Sequence, residues 1–116
     1  EAEEWYSRAY KNGIIDAAFD IGNMYFNVEA YEHCLYWYEK AAKEGHLKAQ
    51  NNMGVSYFKL REYKKAEKWL VEASDSNLPI ACFNLGVLYT VLRDEESACR
   101  YYKKGSTMLE EIVSTT

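Results

Sequence analysis

The chain has 116 residues, of which 48% are apolar, 16% are aromatic and 28% are charged, and its formal net charge is −4. These values predict a single globular domain with a modest core and exclude disordered and fibrous proteins. The acidic balance argues against a nucleic-acid partner. The sequence has neither the long apolar run of a membrane span nor a signal peptide at its acidic start, EAEEWY.

The first predicted element is a helix at about residues 1–12, which the pair Asn12-Gly13 is expected to end. Three pairs of helices follow it, because apolar residues such as Ala49 and Met53 recur at the spacing of one helix face. The predicted pairs are 16–28 with 31–44, 48–60 with 63–75, and 80–92 with 95–112. Short polar joints separate them, so the sequence predicts an all-α fold of seven helices.

The same residue types return along the whole chain at a period of 32. The recurring sets are Gly22, Gly54 and Gly86; Tyr25, Tyr57 and Tyr89; Ala17, Ala49 and Ala81; Ala2, Cys34, Ala66 and Ala98; Trp5, Trp37, Trp69 and Tyr101; and Ala9, Ala41, Ala73 and Gly105. A fixed period of this size predicts an α-solenoid, in which similar helix pairs stack. The glycines are expected where the two helices of a unit cross closely, opposite small residues such as Ala66.

We predict one solenoid domain over residues 1–116, with about three and a half repeats of 32 residues. It divides into a half repeat at 1–14, repeats at 15–46 and 47–78, and a repeat with a C-terminal capping extension at 79–116. The chain starts in the middle of a unit and without an initiator methionine, which favours a fragment of a longer protein.

The middle unit reads Met53-Gly54, Tyr57, Ala66, Leu70 and Ala73, and this pattern resembles the tetratricopeptide repeat (TPR). The stretches YWYEKAAKEGHLKAQ (36–50) and KAQNNMGVSYF (48–58) are similar to the related Sel1-like repeat. The short loops and the short period depart from the Sel1-like pattern. The resemblance implies a right-handed superhelix of antiparallel helix pairs, and a scaffold whose concave groove holds a peptide or a partner protein.

A row of polar residues, Asp20, Asn52 and Asn84, contributes one member per repeat, and Asn23 and Asn51 flank it. The resemblance implies that such asparagines line the groove, where an amide can donate to and accept from a peptide backbone. Alternatively, they bond backbone carbonyls of neighbouring helices and hold the stack together. The resemblance also places apolar residues in or beside the groove, unless they pack against neighbouring helices; they are Phe19, Phe26, Phe58, Phe83 and Val87.

Asn23 and Asn52 match the clamp asparagines of TPR domains that bind chaperone C-termini. That clamp also needs Lys or Arg to pair a terminal carboxylate. The partner positions here hold Phe19, Ile80 and Asn84. We therefore do not expect this chain to bind chaperone C-termini.

The sequence shows no phosphate-binding loop and no catalytic arrangement, so we predict no enzyme, no cofactor and no metal site. His46 falls in a turn between units, where solvent is expected to surround it. Cys34, Cys82 and Cys99 are an odd, sparse set that is expected to be buried in a reducing, cytoplasmic protein. The pattern leaves open whether Cys82 and Cys99 lie close together.

Two functions remain open from the sequence. One is a protein-interaction module that binds an extended segment of a partner. The other is a structural part of a larger protein that associates with itself through an exposed end of the solenoid. The half repeat favours the second function, because it is expected to leave the side of Trp5 and Tyr6 uncovered.

Overall fold

The computed structural model describes the backbone of residues 2–114 and the side chains of residues 12–114. This part of the chain forms six α-helices and no strands. They are α1 (Ala2–Asn27), α2 (Tyr31–Ala42), α3 (Leu47–Lys59), α4 (Tyr63–Asp75), α5 (Pro79–Val91) and α6 (Glu95–Ser114). Each helix packs on the next one in the chain, which is the contact pattern of an α-solenoid. None of these helices has the length and apolar character needed to cross a membrane.

The number of helices differs from the prediction of seven, because α1 runs without a break through Asn12-Gly13. The two units that follow in the chain each end with a residue of positive φ, Gly45 at 85° and Asn77 at 68°. Gly13 is the equivalent residue, but its φ is not positive. The prediction that Asn12-Gly13 ends a helix is therefore wrong.

The residues after each unit end explain this difference. His46 caps α3, since its Nδ1 accepts a hydrogen bond of 3.1 Å from the Ala49 amide. Pro79 occupies the first turn of α5. The equivalent pair, Ile14-Ile15, has no side-chain acceptor and no proline, so nothing there favours a new helix start. His46 is half-buried, which corrects the prediction that solvent surrounds it.

The turn inside each unit is built in the same way three times, around a non-glycine residue in the left-handed region. These residues are Glu29, Arg61 and Arg93, with φ of 60°, 64° and 64°. In the middle unit, the Arg61 amide donates to the Phe58 carbonyl and the Glu62 amide donates to the Tyr57 carbonyl. These two bonds close the end of the helix as a Schellman motif. The strain of the left-handed residue, about 1–2 kcal/mol, is the cost of this turn.

The recurring glycines lie where the helices of each unit cross closely, as predicted. A Cβ atom added to Gly22 would lie 2.6 Å from the Tyr38 ring, and one added to Gly54 would lie 2.5 Å from Leu70 Cγ. The side chain that covers each glycine is thus a large one from the second helix. The small residue Ala66 contributes its carbonyl oxygen, 3.3 Å from the same Gly54 position.

Asp94 caps the last helix and makes its stability dependent on pH. Its carboxylate accepts hydrogen bonds from the Ser97 hydroxyl at 2.7 Å and the Ser97 amide at 3.1 Å, and these bonds lower the pKa of Asp94. A lowered carboxyl pKa stabilises the fold at neutral pH, and this stabilisation is lost as the pH falls through the folded-state pKa.

We therefore expect Asp94→Asn to unfold at a lower urea concentration than the wild type at pH 7. The gap should shrink below about pH 4, the pKa range of a free aspartate. Urea titrations followed by circular dichroism at several pH values measure this gap. A gap that stays constant down to pH 2 would contradict the role of the charge.

Candidate partner-binding face

The first helices of the units, α1, α3 and α5, lie side by side and share one solvent-facing surface. Four positions per helix point to it, each recurring at the repeat period. They are Asp16, Lys48 and Ile80; Asp20, Asn52 and Asn84; Asn23, Val55 and Val87; and Asn27, Lys59 and Val91. All twelve side chains are partly or fully exposed. We call this surface the α1/α3/α5 face.

A chain of side-chain hydrogen bonds runs along the α1/α3/α5 face. Asn23 Oδ1 accepts from the Tyr38 hydroxyl at 2.5 Å and from Asn52 Nδ2 at 3.2 Å. Asn52 Oδ1 accepts from Asn51 Nδ2 at 3.3 Å, and Asn51 Oδ1 accepts from Asn84 Nδ2 at 2.9 Å. We call these five residues the asparagine network; it joins α2, α1, α3 and α5.

The network favours the interpretation that the asparagines hold the stack, although they bond each other and not the backbone. Asn51 is only 4% exposed, so it does not line the face. Two amide atoms of the network have no hydrogen-bond partner among the described residues, namely Asn23 Nδ2 and Asn84 Oδ1. Both side chains are half-buried, and they leave one donor and one acceptor near solvent. Asp20 is exposed and lies outside the network.

The predicted phenylalanines are half-buried and lie mainly between helices. The Phe19 ring packs 4.4 Å from the His46 ring and 5.8 Å from the Tyr38 ring. Phe26 and Phe83 pack in a similar way, against Tyr31 and Tyr102 respectively. These contacts favour a packing role for Phe19, Phe26 and Phe83.

A cleft of about 160 Å³ opens between α3 and α5 on this face. Its lining residues are Val55, Phe58, Lys59, Leu70, Asn84 and Val87. The structure thus brings together three of the predicted residues, Phe58, Asn84 and Val87. Sequence reasoning missed Val55 and Lys59, although Val55 is the repeat equivalent of Val87.

The chemistry of the α1/α3/α5 face changes from one helix to the next. The charged and apolar members are Asp16 and Asp20 on α1, Lys48 and Lys59 on α3, and Ile80, Val87 and Val91 on α5. The face is therefore acidic at one end, basic in the middle and apolar at the other end. Lys59 is the only charged residue among those that line the cleft.

The cysteines of the described chain are free. Cys34 is buried beside the Ser56 hydroxyl at 3.1 Å, and burial raises the pKa of its thiol. Cys82 is buried beside the Ser74 hydroxyl at 2.9 Å and does not pair with Cys99. Cys99 is exposed, which corrects the prediction that all three are buried. No group of three or more metal-ligating side chains occurs within residues 12–114.

Family models match most of the chain. Models of the tetratricopeptide repeat match residues 46–76 and 79–108, which together exceed half of the chain. A Sel1 repeat model matches residues 1–14 and 28–46. A comparison with curated proteins gave no match.

Several solved TPR structures share the fold at low sequence identity. The second TPR domain of Spaghetti (RPAP3), bound to an HSP90 peptide, is 22% identical with a TM-score of 0.78; the match covers 93% of this chain and 98% of that one. The TPR domain of Arabidopsis FLU is 20% identical with a TM-score of 0.72, and 87% and 98% of the two chains are covered.

MamA is 17% identical with a TM-score of 0.79; the match covers 86% of this chain and 61% of MamA, so the present chain spans about three fifths of that protein. These likenesses agree with the repeat period, the glycine crossings and the family-model matches. The chain belongs to the superfamily of tetratricopeptide and Sel1-like repeats.

Proposed function

We propose that the chain is a non-enzymatic protein-interaction scaffold whose α1/α3/α5 face binds an extended segment of a partner protein. The observation that carries the proposal is the cleft between α3 and α5. A cleft of about 160 Å³ is smaller than the sites that hold drug-sized molecules and suits one apolar side chain. TPR repeats as a class, and the HSP90 peptide named with the Spaghetti domain, support a protein ligand.

The surroundings of the cleft define the peptide that fits it. An apolar side chain would contact Val55, Phe58 and Val87, and the Lys59 amine at the rim would attract a nearby carboxylate. Asn84 lines the same cleft, and its Oδ1, which accepts no hydrogen bond from the described residues, suits a backbone N–H. The proposed ligand is therefore an extended segment with an apolar anchor next to an acidic residue.

The ligand proposed here differs from a chaperone C-terminus. A terminal carboxylate needs cationic partners, and Phe19 and Ile80 stand at two of the positions where a clamp would carry them. The cation at the cleft, Lys59, is a single point charge on a long side chain and suits an acidic side chain within a segment.

A peptide selection tests this proposal. Peptides would be selected from a phage-displayed library on the wild type, and their Kd measured by fluorescence anisotropy. We expect Val87→Asp to weaken binding at least tenfold, because it places a charge in the apolar cleft. Lys59→Glu should weaken acidic peptides most, and wild-type binding should fall as salt is added.

Leu109→Asp is the matched control, because Leu109 is 44% exposed on α6 and Val87 is 45% exposed on α5. Circular dichroism of each variant shows whether it is folded. Equal binding to wild type, Val87→Asp and Leu109→Asp would place the peptide elsewhere and overturn the proposal.

A reducing, cytoplasmic location is part of the proposal. The three cysteines are free, and the buried pair, Cys34 and Cys82, lie next to serine hydroxyls and not next to each other. An exposed thiol such as Cys99 is typical of compartments that keep cysteines reduced.

Self-association is a second candidate function. Met24 near the C-terminal end of α1 and Val28 directly after it are 69% and 73% exposed. Large apolar side chains exposed together mark interaction surfaces. A molar mass that rises with protein concentration would support this function, and a constant monomer mass would exclude it.

A further inference from the structure

One side of α1 is apolar and uncovered in its C-terminal half. Met24 is 69% exposed, Ile14 is 52% exposed, and Ala17 is exposed as well. In the later units, the equivalents of Ala17 are Ala49 and Ala81, and both are fully buried. The side of α1 that faces solvent therefore corresponds to an interface in the rest of the stack.

The second helix of the preceding unit covers this side in both later units. On α3 the covering helix is α2, where Ala42 and Ala49 belong to one buried cluster and Cys34 Sγ lies 3.1 Å from Ser56 Oγ. On α5 the covering helix is α4. The described residues provide no such cover for α1.

Residues 2–12 carry the sequence pattern of a covering helix. Ala2, Trp5 and Ala9 belong to the same recurring sets as the residues of α2 and α4. The segment nevertheless continues α1 as one helix. At 1.5 Å per residue, positions 2 and 24 are then about 33 Å apart. The segment therefore cannot cover the side of its own α1.

In the sequence, the pattern of this side continues toward the start of α1. Positions three or four apart lie on one side of a helix. Among the residues whose side chains are described, the row consists of the small or apolar residues Gly13, Ala17, Ile21 and Met24, and the sequence continues the same spacing back to Tyr10 and Tyr6. Such a row is typical of a helix that pairs along its length with another helix. A Cβ atom added to Gly13 meets nothing within 4 Å, which leaves room there for a second helix.

We propose that residues 2–12 of a second copy of this chain cover the row, and that the exchange is reciprocal. The product is a domain-swapped dimer in which two α1 helices pack antiparallel around a two-fold axis near Gly13. The inference rests on the second candidate function, self-association, and adds its arrangement.

The repeat register supports the position of the axis. Across the interface of α2 and α3, Cys34 contacts Ser56, and Ala42 and Ala49 belong to one buried cluster. Subtracting the period of 32 from these numbers gives the pairs 2 with 24 and 10 with 17. The midpoints of both pairs fall within about half a residue of Gly13. In a two-fold interface, each contact occurs twice, with the two copies exchanged. Pairs whose midpoint lies on the axis meet this condition.

Cysteine cross-linking tests this arrangement in the full chain. The variant Tyr10→Cys/Ala17→Cys would be made with Cys99→Ser, so that the exposed native thiol is removed. Within one continuous helix the two introduced residues are about 10 Å apart along the axis, too far for a disulfide. We expect oxidation to give a dimer on a non-reducing gel.

Each other outcome of the cross-linking overturns the proposal. A disulfide within one chain would mean that the chain turns at Gly13 and covers its own α1. If the protein is a dimer in solution but the disulfide does not form, the copies associate without exchanging residues 2–12. A monomer at every concentration would reject both.

Light scattering on Met24→Glu supplies an independent readout. The wild type should have twice the chain mass of 13.5 kDa at high concentration. Met24→Glu should remain a monomer with unchanged helix content, because it places a charge in the apolar row. Leu109→Glu, on α6, should remain a dimer. A Met24→Glu protein that dimerises as the wild type does would contradict the proposed interface.

Discussion

Tyr38→Ala is expected to lower the free energy of unfolding by about 4 kcal/mol, a large share of the stability of a small domain. Tyr38 is fully buried, and its ring covers Gly22. Its hydroxyl donates to Asn23, and the hydroxyl also lies 3.4 Å from Asn52 Nδ2. Burial raises the pKa of Tyr38 to about 12, so the hydroxyl keeps its proton and remains a donor at neutral pH.

Tyr38→Phe separates the contribution of the hydroxyl to stability from that of the ring. It keeps the packing on Gly22 and leaves Asn23 Oδ1 without its shortest partner, so we expect a loss of about 1–2 kcal/mol. The matched control is Tyr36→Ala on the same helix, because Tyr36 is 58% exposed. Its loss should stay below about 1 kcal/mol. Urea unfolding followed by circular dichroism measures all three variants, and equal losses for Tyr38→Ala and Tyr36→Ala would contradict the buried network.

Gly54→Ala is expected to destabilise the fold by about 2 kcal/mol, even though alanine gains about 1 kcal/mol over glycine in a helix. The new Cβ atom would lie 2.5 Å from Leu70 Cγ and 3.3 Å from the Ala66 carbonyl oxygen. Leu70 is 1% exposed, the atom that the new Cβ meets is at the branch point of its side chain, and the Ala66 backbone carbonyl is fixed in α4. The two helices of the unit must therefore separate.

Gly86→Ala supplies the comparison for Gly54→Ala. Its Cβ atom would lie 2.5 Å from the Tyr102 ring, but Tyr102 is 38% exposed and can rotate away. We expect a change of less than about 1 kcal/mol, because the gain in helix propensity offsets the smaller clash.

A double variant, Gly54→Ala/Leu70→Ala, tests whether Leu70 is the cause. Leu70→Ala alone should cost about 2–5 kcal/mol. The double variant should cost less than the two single losses added together, because the shortened side chain removes the clash. Strict additivity, or equal losses for Gly54→Ala and Gly86→Ala, would show that helix crossing does not explain the glycine.

The repeat period was sufficient to predict five of the six helices of the described chain, because each unit repeats the same local contacts. The pair Asn12-Gly13 alone could not show whether a helix ends there. A glycine ends a helix only when it adopts positive φ and the next residues can start another helix, as His46 does after Gly45. The turns at Glu29 and Arg61 gave no signal, since neither contains glycine.

The candidate site was predictable only in part. The repeat period identified the recurring positions to which Asn84 and Val87 belong, and both residues line the cleft. Asn51 and Asn52 are neighbours in sequence but differ by about 100° around the helix, so one is buried and the other is half-buried. Cys99 belongs to no recurring set, and its exposure depends on the position of α6 at the end of the described stack.

The asparagine network also has a consequence for the precision of the α1/α3/α5 face. Apolar contacts are non-directional and allow packed helices to slide, whereas amide hydrogen bonds hold only at particular offsets. The bonds from Asn23 to Asn52, and from Asn51 to Asn84, therefore fix how far each first helix is displaced along its neighbour. A ligand of the proposed kind would meet a row of contact points whose spacing is set before it arrives, so little ordering of the protein would oppose its binding.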